Sequence, residues 1–235
     1  MLDQPSTAKQ RAAQAAADRV ESGMIVGLGS GTTAALVVKA IGERIALDRL
    51  KILAVATSVA TAELAHSVDI PLRELDDVEA LDLNIDGADE IDGAFRMIKG
   101  RGGALLREKI IASAARRRVT VVTGEKRVSR LGSVAPIPVE ISAIGARHTE
   151  RRLRDLGAHT TLRWLPEGTP FVTDGGNRIV DCRFPENEDL ESMDYRLQQT
   201  VGVFETGIFV GLCDLLIVGY EDRVDVIENS SGSRA

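Results

Sequence analysis

Glu108 sits where an acid is costly. The segment 104–117 reads as a helix, and at about 100° per residue Lys109, Ser113 and Arg116 fall on one side of it. Glu108 falls on the other, between Ala104, Ile111, Ala112 and Ala115. Burial disfavours the charged form of a carboxylate and raises its pKa, which is how such a group becomes a useful general base. The plain alternative is a solvated glutamate in the charged run Arg107, Glu108, Lys109, and Arg107 also falls inside the apolar arc.

Four loops carry residue types suited to binding an oxyanion or moving a proton. Gly29, Ser30, Gly31, Thr32 and Thr33 combine glycines, which let backbone N–H groups approach an anion, with three hydroxyls at the start of a helix. That suits a phosphate or sugar hydroxyls; a tight strand-to-helix turn with a Thr cap is the simpler reading. It is a poor dinucleotide fingerprint, because Thr32 stands where the third glycine belongs and the next strand ends in Ala56, Thr57 and Ser58 with no ribose-binding acid. No G-K-[ST] occurs, which removes a P-loop. Asp86 and Asp89 are separated by Gly87 and Ala88, small residues that leave space for a ligand, with Glu90 next; an acidic surface turn would look the same. Lys99, Gly100, Arg101, Gly102 and Gly103 make a glycine-rich loop opened by a lysine, and Thr123, Gly124, Glu125 and Lys126 form the fourth. Any one of these is weak, but four at strand ends are hard to attribute to turn chemistry, since open α/β sheets bind ligands outside the carboxyl ends of their strands.

The elements that must position these loops follow from periodicity. A helix is expected at 8–21, then strand 24–28, helix 33–46, strand 51–57, helix 60–67, strand 81–85, helix 104–117 and strand 119–123. Strands separated by helices imply an α/β fold with a Rossmann-like parallel sheet and helices on both faces. From about Gly132 the texture changes. A charged helix at 147–156, a strand at 161–165, a hairpin signal at 173–177, a strand at 178–182 and a helix at 189–199 suggest a β-α-β-β-α-β unit, a smaller inserted α+β (ferredoxin-like) domain. The apolar runs 208–212 and 215–218 then return to the first domain. The expected domains are 1–131 with 207–228, and 132–206, followed by a polar, disordered tail at 229–235.

Composition narrows the function. The 235 residues are 44% hydrophobic but only 3% aromatic, as for an aliphatic core under helices, and the formal net charge of -6 argues against nucleic acid. Two cysteines, Cys182 and Cys213, are too few for a disulfide framework, and His66, His148 and His159 lie far apart, so no metal site is expected. No G-x-S-x-G or H-E-x-x-H occurs. The N-terminus has no apolar leader and the run 207–220 is too short to span a membrane, so a soluble cytoplasmic protein is expected.

Taken together, GLGSGTTA at 27–34, IDGADEID at 85–92, MIKGRGGALLREKIIA at 97–112 and TGEK at 123–126 resemble type A ribose-5-phosphate isomerase, and the similarity spans nearly the whole chain. The resemblance implies that Glu108 is the catalytic base, that Asp86 and Asp89 are the paired aspartates handling ring-oxygen and hydroxyl protons, and that Lys99 is the catalytic-loop lysine. It places the substrate against Ser30, Gly31, Thr32 and Thr33, the turn from Asp86 through Gly87 and Ala88 to Asp89, the loop of Lys99, Gly100, Arg101 and Gly102, and Lys126. Lys9 matches a lysine near the phosphate. Arg101 departs from the many members that have glycine there, which bears on how closely that backbone approaches the substrate. The implied activity is a cofactor-free, metal-free interconversion of ribose 5-phosphate and ribulose 5-phosphate through a cis-enediolate, by a homodimer or dimer of dimers. A sugar-phosphate-sensing domain without turnover is the alternative, disfavoured by the absence of a helix-turn-helix module and by Glu108 together with Lys99; a coenzyme A transferase fits neither the chain length nor the KGRGG context.

Overall fold

The computed structural model of the chain describes residues 6–185 and 189–230. In chain order it forms α1 (Thr7–Ala17), β1 (Ile25–Leu28), α2 (Gly31–Asp48), β2 (Leu53–Ala56), α3 (Val59–Ser67), β3 (Leu81–Asp86), β4 (Glu90–Ile91), β5 (Met97–Ile98), α4 (Leu105–Ser113) and β6 (Ala115–Thr123). It continues through β7 (Ile137–Ile141), α5 (Ala146–Asp155), β8 (His159–Leu162), β9 (Arg178–Arg183), α6 (Leu190–Gln198), β10 (Val203–Thr206), β11 (Ile208–Phe209), β12 (Leu215–Gly219) and β13 (Val224–Glu228). Two compact units result. The first takes in the chain up to Ala88, Arg107–Arg127 and the chain from Gly211 on; the second takes Asp89–Leu106 and Val128–Val210.

The first unit is a six-stranded sheet in the order β13-β12-β6-β3-β1-β2. Every neighbouring pair is parallel except β12 with β13, an antiparallel edge strand that the alternation of strands and helices does not announce. Side chains alternate across the pleat and feed both faces. Val26, Leu28, Leu83, Ile85, Val119, Val121, Leu215 and Ile217 join the buried alanines of α1 and the valines of α2. On the other face Val55 and Leu81 pack with Ile111 of α4. Gly27 of β1 is small because Ile111 and Asn84 stand where its side chain would be, at 2.8 Å and 2.6 Å from the position of a Cβ.

The second unit contains two antiparallel sheets. One is four-stranded, β10-β7-β9-β8, and with α5 and α6 gives the β-α-β-β-α-β order of a ferredoxin-like layer, its core drawn from Ile137, Val139, Ile141, Leu153, Val180 and Leu197. The other is three-stranded, β11-β5-β4. The fold is therefore α/β, a Rossmann-like sheet with helices on both faces plus a smaller inserted α+β unit.

Three local expectations change. Residues 89–106, 128–131 and 207–210 group with the second unit, where the expected boundaries put them in the first. The reason is pairing: Met97 and Ile98 are bonded between β4 and β11, in register with Glu90, Ile91, Ile208 and Phe209. An apolar run does not reveal which sheet will take it. Next, the helix expected through 117 ends at Ser113, and β6 begins at Ala115. Arg116, Arg117 and Arg118 look helical as a charged triplet, but each pairs across the sheet, with Asp82 (3.0 Å), Glu228 (2.6 Å) and Asp214 (2.7 Å). Finally, Asn229, expected to open a disordered tail, is held in place, its backbone N–H donating to the Asp214 carbonyl and its side chain to that of Cys213; residues 231–235, the rest of that expectation, lie outside the described residues.

Candidate active site

Glu108 lies in the first turn of α4, on the stripe with Leu105, Ile111 and Ala112, and is 5% exposed. Its Oε1 accepts a hydrogen bond of 2.8 Å from the Ser30 hydroxyl. Ser30 comes from the glycine loop after β1, and that loop is pinned on several sides. The Gly29 N–H donates to the Ile85 carbonyl (2.9 Å), its carbonyl accepts from the Thr61 hydroxyl (3.0 Å), and the Ser30 N–H donates to Oδ1 of Asp86 (3.0 Å). The same oxygen accepts from the Gly87 N–H at 2.7 Å, and Asp86 is buried at the end of β3. Gly29 has to be glycine: an added methyl would lie 2.1 Å from Oδ1 of Asp86 and 2.6 Å from its Cα. Ser30, Asp86, Gly87 and Glu108 are thus brought together.

Gly31, with φ of +88°, opens α2, followed by Thr32 and Thr33 in its first turn. The α2 N-cap makes no side-chain bond to the helix, which leaves its leading N–H groups available to an anion. The Lys9 ammonium reaches the Thr32 hydroxyl at 3.3 Å. Lys126 follows β6 in a short 3-10 turn, beside Glu125. Burial pushes the Glu125 carboxyl up, but the Thr123 hydroxyl, a backbone N–H and the charges of Lys126 and Lys9 outweigh it and hold the group below its ordinary value.

Asp89 and the lysine loop belong to the second unit. Oδ2 of Asp89 accepts from the Arg101 N–H at 2.9 Å, and the Asp89 N–H donates to the Ile98 carbonyl at 2.8 Å, so the acid braces the loop that Lys99 opens. Lys99 is 5% exposed, its N–H bound to the Gly207 carbonyl and its ammonium 5.5 Å from the centre of the Phe209 ring. Gly100 has φ of +102°, and the carbonyls of Gly100 and Arg101 each accept from Arg163 at 3.0 Å. Arg163 is in turn ion-paired with Asp181 and stacked 5.6 Å from the Phe171 ring. Arg101 and Gly102 are exposed. Glu90, the third acid of the motif, points elsewhere, accepting from the N–H groups of Gly132 (2.7 Å), Val134 (2.7 Å) and Ala135.

Sequence reasoning passes over Thr57, Thr61 and Arg163. Thr57 stands just past β2, the strand beside β1, and the rule that strand ends carry the chemistry would find it. Arg163 lies 62 residues from the loop it holds, and no local signal points to it. The three histidines are exposed. Among the described residues, no cluster of three or more His, Cys, Asp or Glu is placed to hold a metal ion, and no helix is long and apolar enough to cross a membrane.

The first unit thus combines a largely parallel sheet with a glycine and hydroxyl loop after β1, the buried Asp86 at the end of β3 and the buried Glu108 in the first turn of α4. The family model "Ribose 5-phosphate isomerase A (phosphoriboisomerase A)" matches residues 53–223. Ribose-5-phosphate isomerase A of Thermomicrobium roseum is 48% identical over 224 residues, 95% of this chain and 94% of that protein. Among solved structures, ribose 5-phosphate isomerase A from Methanocaldococcus jannaschii superposes with a TM-score of 0.89 at 35% identity, covering 94% of this chain and 97% of that one. Ribose 5-phosphate isomerase from Plasmodium falciparum does so with a TM-score of 0.91 at 33% identity, covering 95% and 99%. The chain belongs to the ribose 5-phosphate isomerase A family.

Proposed function

We propose that the chain interconverts D-ribose 5-phosphate and D-ribulose 5-phosphate in the non-oxidative pentose phosphate pathway, with Glu108 carrying a proton between C2 and C1. The observation that carries this reading is the buried Glu108 carboxylate, held by Ser30 on the apolar face of α4 in a chain of this family. After the furanose opens, Glu108 removes the C2 proton, the electron pair forms a cis-enediolate, and the same group returns a proton to C1. No change of redox level occurs overall, so the route needs no cofactor.

The other roles follow from chemistry. Asp86 or Asp89 takes and returns the ring-oxygen and hydroxyl protons. Lys99, with N–H groups of its glycine-rich loop, stabilises the developing oxyanion, a contribution that preorganised donors make without reorganising. Ser30, Gly31, Thr32, Thr33 and Lys126, with Lys9 beside Thr32, anchor the substrate at the uncapped start of α2, its phosphate foremost. The working form is a homodimer or dimer of dimers in the cytoplasm, and the net charge of -6 supports a small-molecule substrate over nucleic acid.

The test is incubation of the purified, EDTA-treated protein with ribose 5-phosphate. Ribulose 5-phosphate should form at a rate that chelation leaves unchanged, and free ribose should be a very poor substrate. Binding without turnover would make the chain a sensor, and activity lost on chelation but regained with a divalent ion would end the metal-free route.

A further inference from the structure

We propose that Thr57 is a positioning residue for the base: its hydroxyl sets the direction of the Ser30 hydroxyl, which in turn holds the Glu108 carboxylate. The assignment rests on Glu108 being the base. It starts from a proton count. The Oγ of Ser30 lies 2.8 Å from Oε1 of Glu108 and 3.0 Å from Oγ1 of Thr57. A serine hydroxyl has one proton, and an ionised carboxylate only accepts. Ser30 therefore spends its proton on Glu108, and Thr57 is the donor in the other bond.

Two serines at corresponding places show that this is a diversion of chemistry from structure. Ser58 is the N-cap of α3, and its hydroxyl accepts from the Thr61 N–H at 3.1 Å, as an N-cap serine should. Ser30 is the N-cap of α2 and makes no such bond. Its hydroxyl is turned to Glu108 instead, so α2 forgoes a cap.

The backbone around Ser30 is already fixed by the bonds from Gly29 and Ser30 to Ile85, Thr61 and Asp86. What remains free is the Ser30 side-chain torsion and the hydroxyl rotor. Thr57 is suited to settle both, being fully buried, β-branched and hence stiff at χ1, with its own N–H bound to the Leu28 carbonyl at 3.0 Å. A base aimed by a rigid donor needs no reorganisation when the C2 proton arrives within reach.

The test is the pair Thr57→Val and Thr57→Ser, assayed for isomerisation and for thermal unfolding alongside wild type. Thr57→Val keeps the shape without the hydroxyl, so kcat should fall about tenfold, as for one lost positioning hydrogen bond, with KM within about twofold. Thr57→Ser restores the donor and should return kcat to within about threefold of wild type. Adding Thr57→Val to Ser30→Ala should cost nothing further, because the two act in one chain. The assignment is overturned by unchanged kcat in Thr57→Val, by equal impairment in both Thr57 variants, by a loss confined to KM, or by additive losses in the double variant. If Thr57→Val fails to fold, Thr57→Ser decides: a hydroxyl at this place that leaves kcat more than about threefold below wild type overturns the assignment. A wild-type protein without isomerase activity would remove the base and this assignment together, whereas an active wild type with an indifferent Thr57→Val removes this assignment alone.

Discussion

Neutral hydroxyls and backbone N–H groups reach the carboxylates of Glu108 and Asp86, whereas the Lys99 loop is gripped by charges and rings. In the first unit Thr57, Ser30, Thr61 and the N–H groups of Ser30 and Gly87 fix the two acids and the loop between them. In the second, Arg163 clamps two loop carbonyls while itself caught by Asp181 and Phe171, and Lys99 lies over Phe209. The difference fits the roles proposed for each part. A carboxylate proposed to move a proton must keep a lone pair aimed, and the Ser30 hydroxyl is a short, directional donor to it. A glycine loop has a floppy backbone, and a guanidinium fork can grip several of its oxygens at once.

The comparison is broken most directly at Glu108. Glu108→Gln keeps shape and hydrogen bonding to Ser30 but removes basicity, so kcat should fall by about 10²–10⁴ with KM little changed, the signature of a lost general base. Steady-state kinetics on a normally folded variant decide it. Near wild-type turnover would move the role of base elsewhere, with Asp86 the next candidate.

The rigidity of the first unit is tested next, with one added methyl. In Gly29→Ala the new carbon meets backbone at Asp86, which has no rotamer to escape into. Overpacking of this kind costs about 1–3 kcal/mol. A shift of about 1 Å in a catalytic constellation costs roughly 10²-fold in rate, so activity should fall about that far while the melting temperature drops by several degrees. A fully active Gly29→Ala protein would show that the loop has slack.

In the second unit the matching change is Arg163→Lys. The charge on Asp181 stays compensated, but a single ammonium cannot reproduce the fork to Gly100, Arg101 and Asp181. We expect kcat/KM to fall by roughly 3–10-fold, about one hydrogen bond's worth, with less loss of stability than in Gly29→Ala. An unaffected variant would mean that the clamp is incidental to the loop.

Much of the candidate site is legible in the chain, because glycines, hydroxyls and acids at strand ends can be picked out by residue type and spacing alone. Glu108 is a useful case. The apolar arc visible in the sequence includes Ala104 and Ala115, which flank the actual helix, yet Leu105, Ile111 and Ala112 are buried within it, and Glu108 is buried with them. What cannot be read depends on pairing across long separations. The Arg116 to Arg118 triplet looks helical until Asp82, Asp214 and Glu228 stand opposite, and one of the two strands that flank Met97 and Ile98 comes more than a hundred residues later. Thr57 is readable in type but not in its proposed role, since its partner Ser30 and Glu108, which Ser30 holds, come from separate stretches of chain.

The two units each contain one buried thiol, and these sharpen the comparison at the smallest scale. Cys213 belongs to the first unit and burial pushes it up to about 11, partly opposed by a hydrogen bond with Thr120. Cys182 belongs to the second, and burial raises it further, helped by Asp181 and Glu150. Only the thiolate is alkylated, so at pH 8 a group near 11 is ionised to about one part in a thousand, and burial removes access as well. Neither cysteine should react with iodoacetamide in the folded protein over a period that fully modifies a free thiol. As urea is raised, reaction should begin with opening. The chain crosses between the units four times, after Ala88, Leu106, Arg127 and Val210, so neither is one continuous stretch able to open without pulling on the other. Peptide mapping by mass spectrometry should therefore show both cysteines becoming reactive at the same urea concentration. Earlier modification of Cys182 would reveal a second unit that opens alone, its charge-held loop included, while the part that carries Ser30 and Glu108 stays folded.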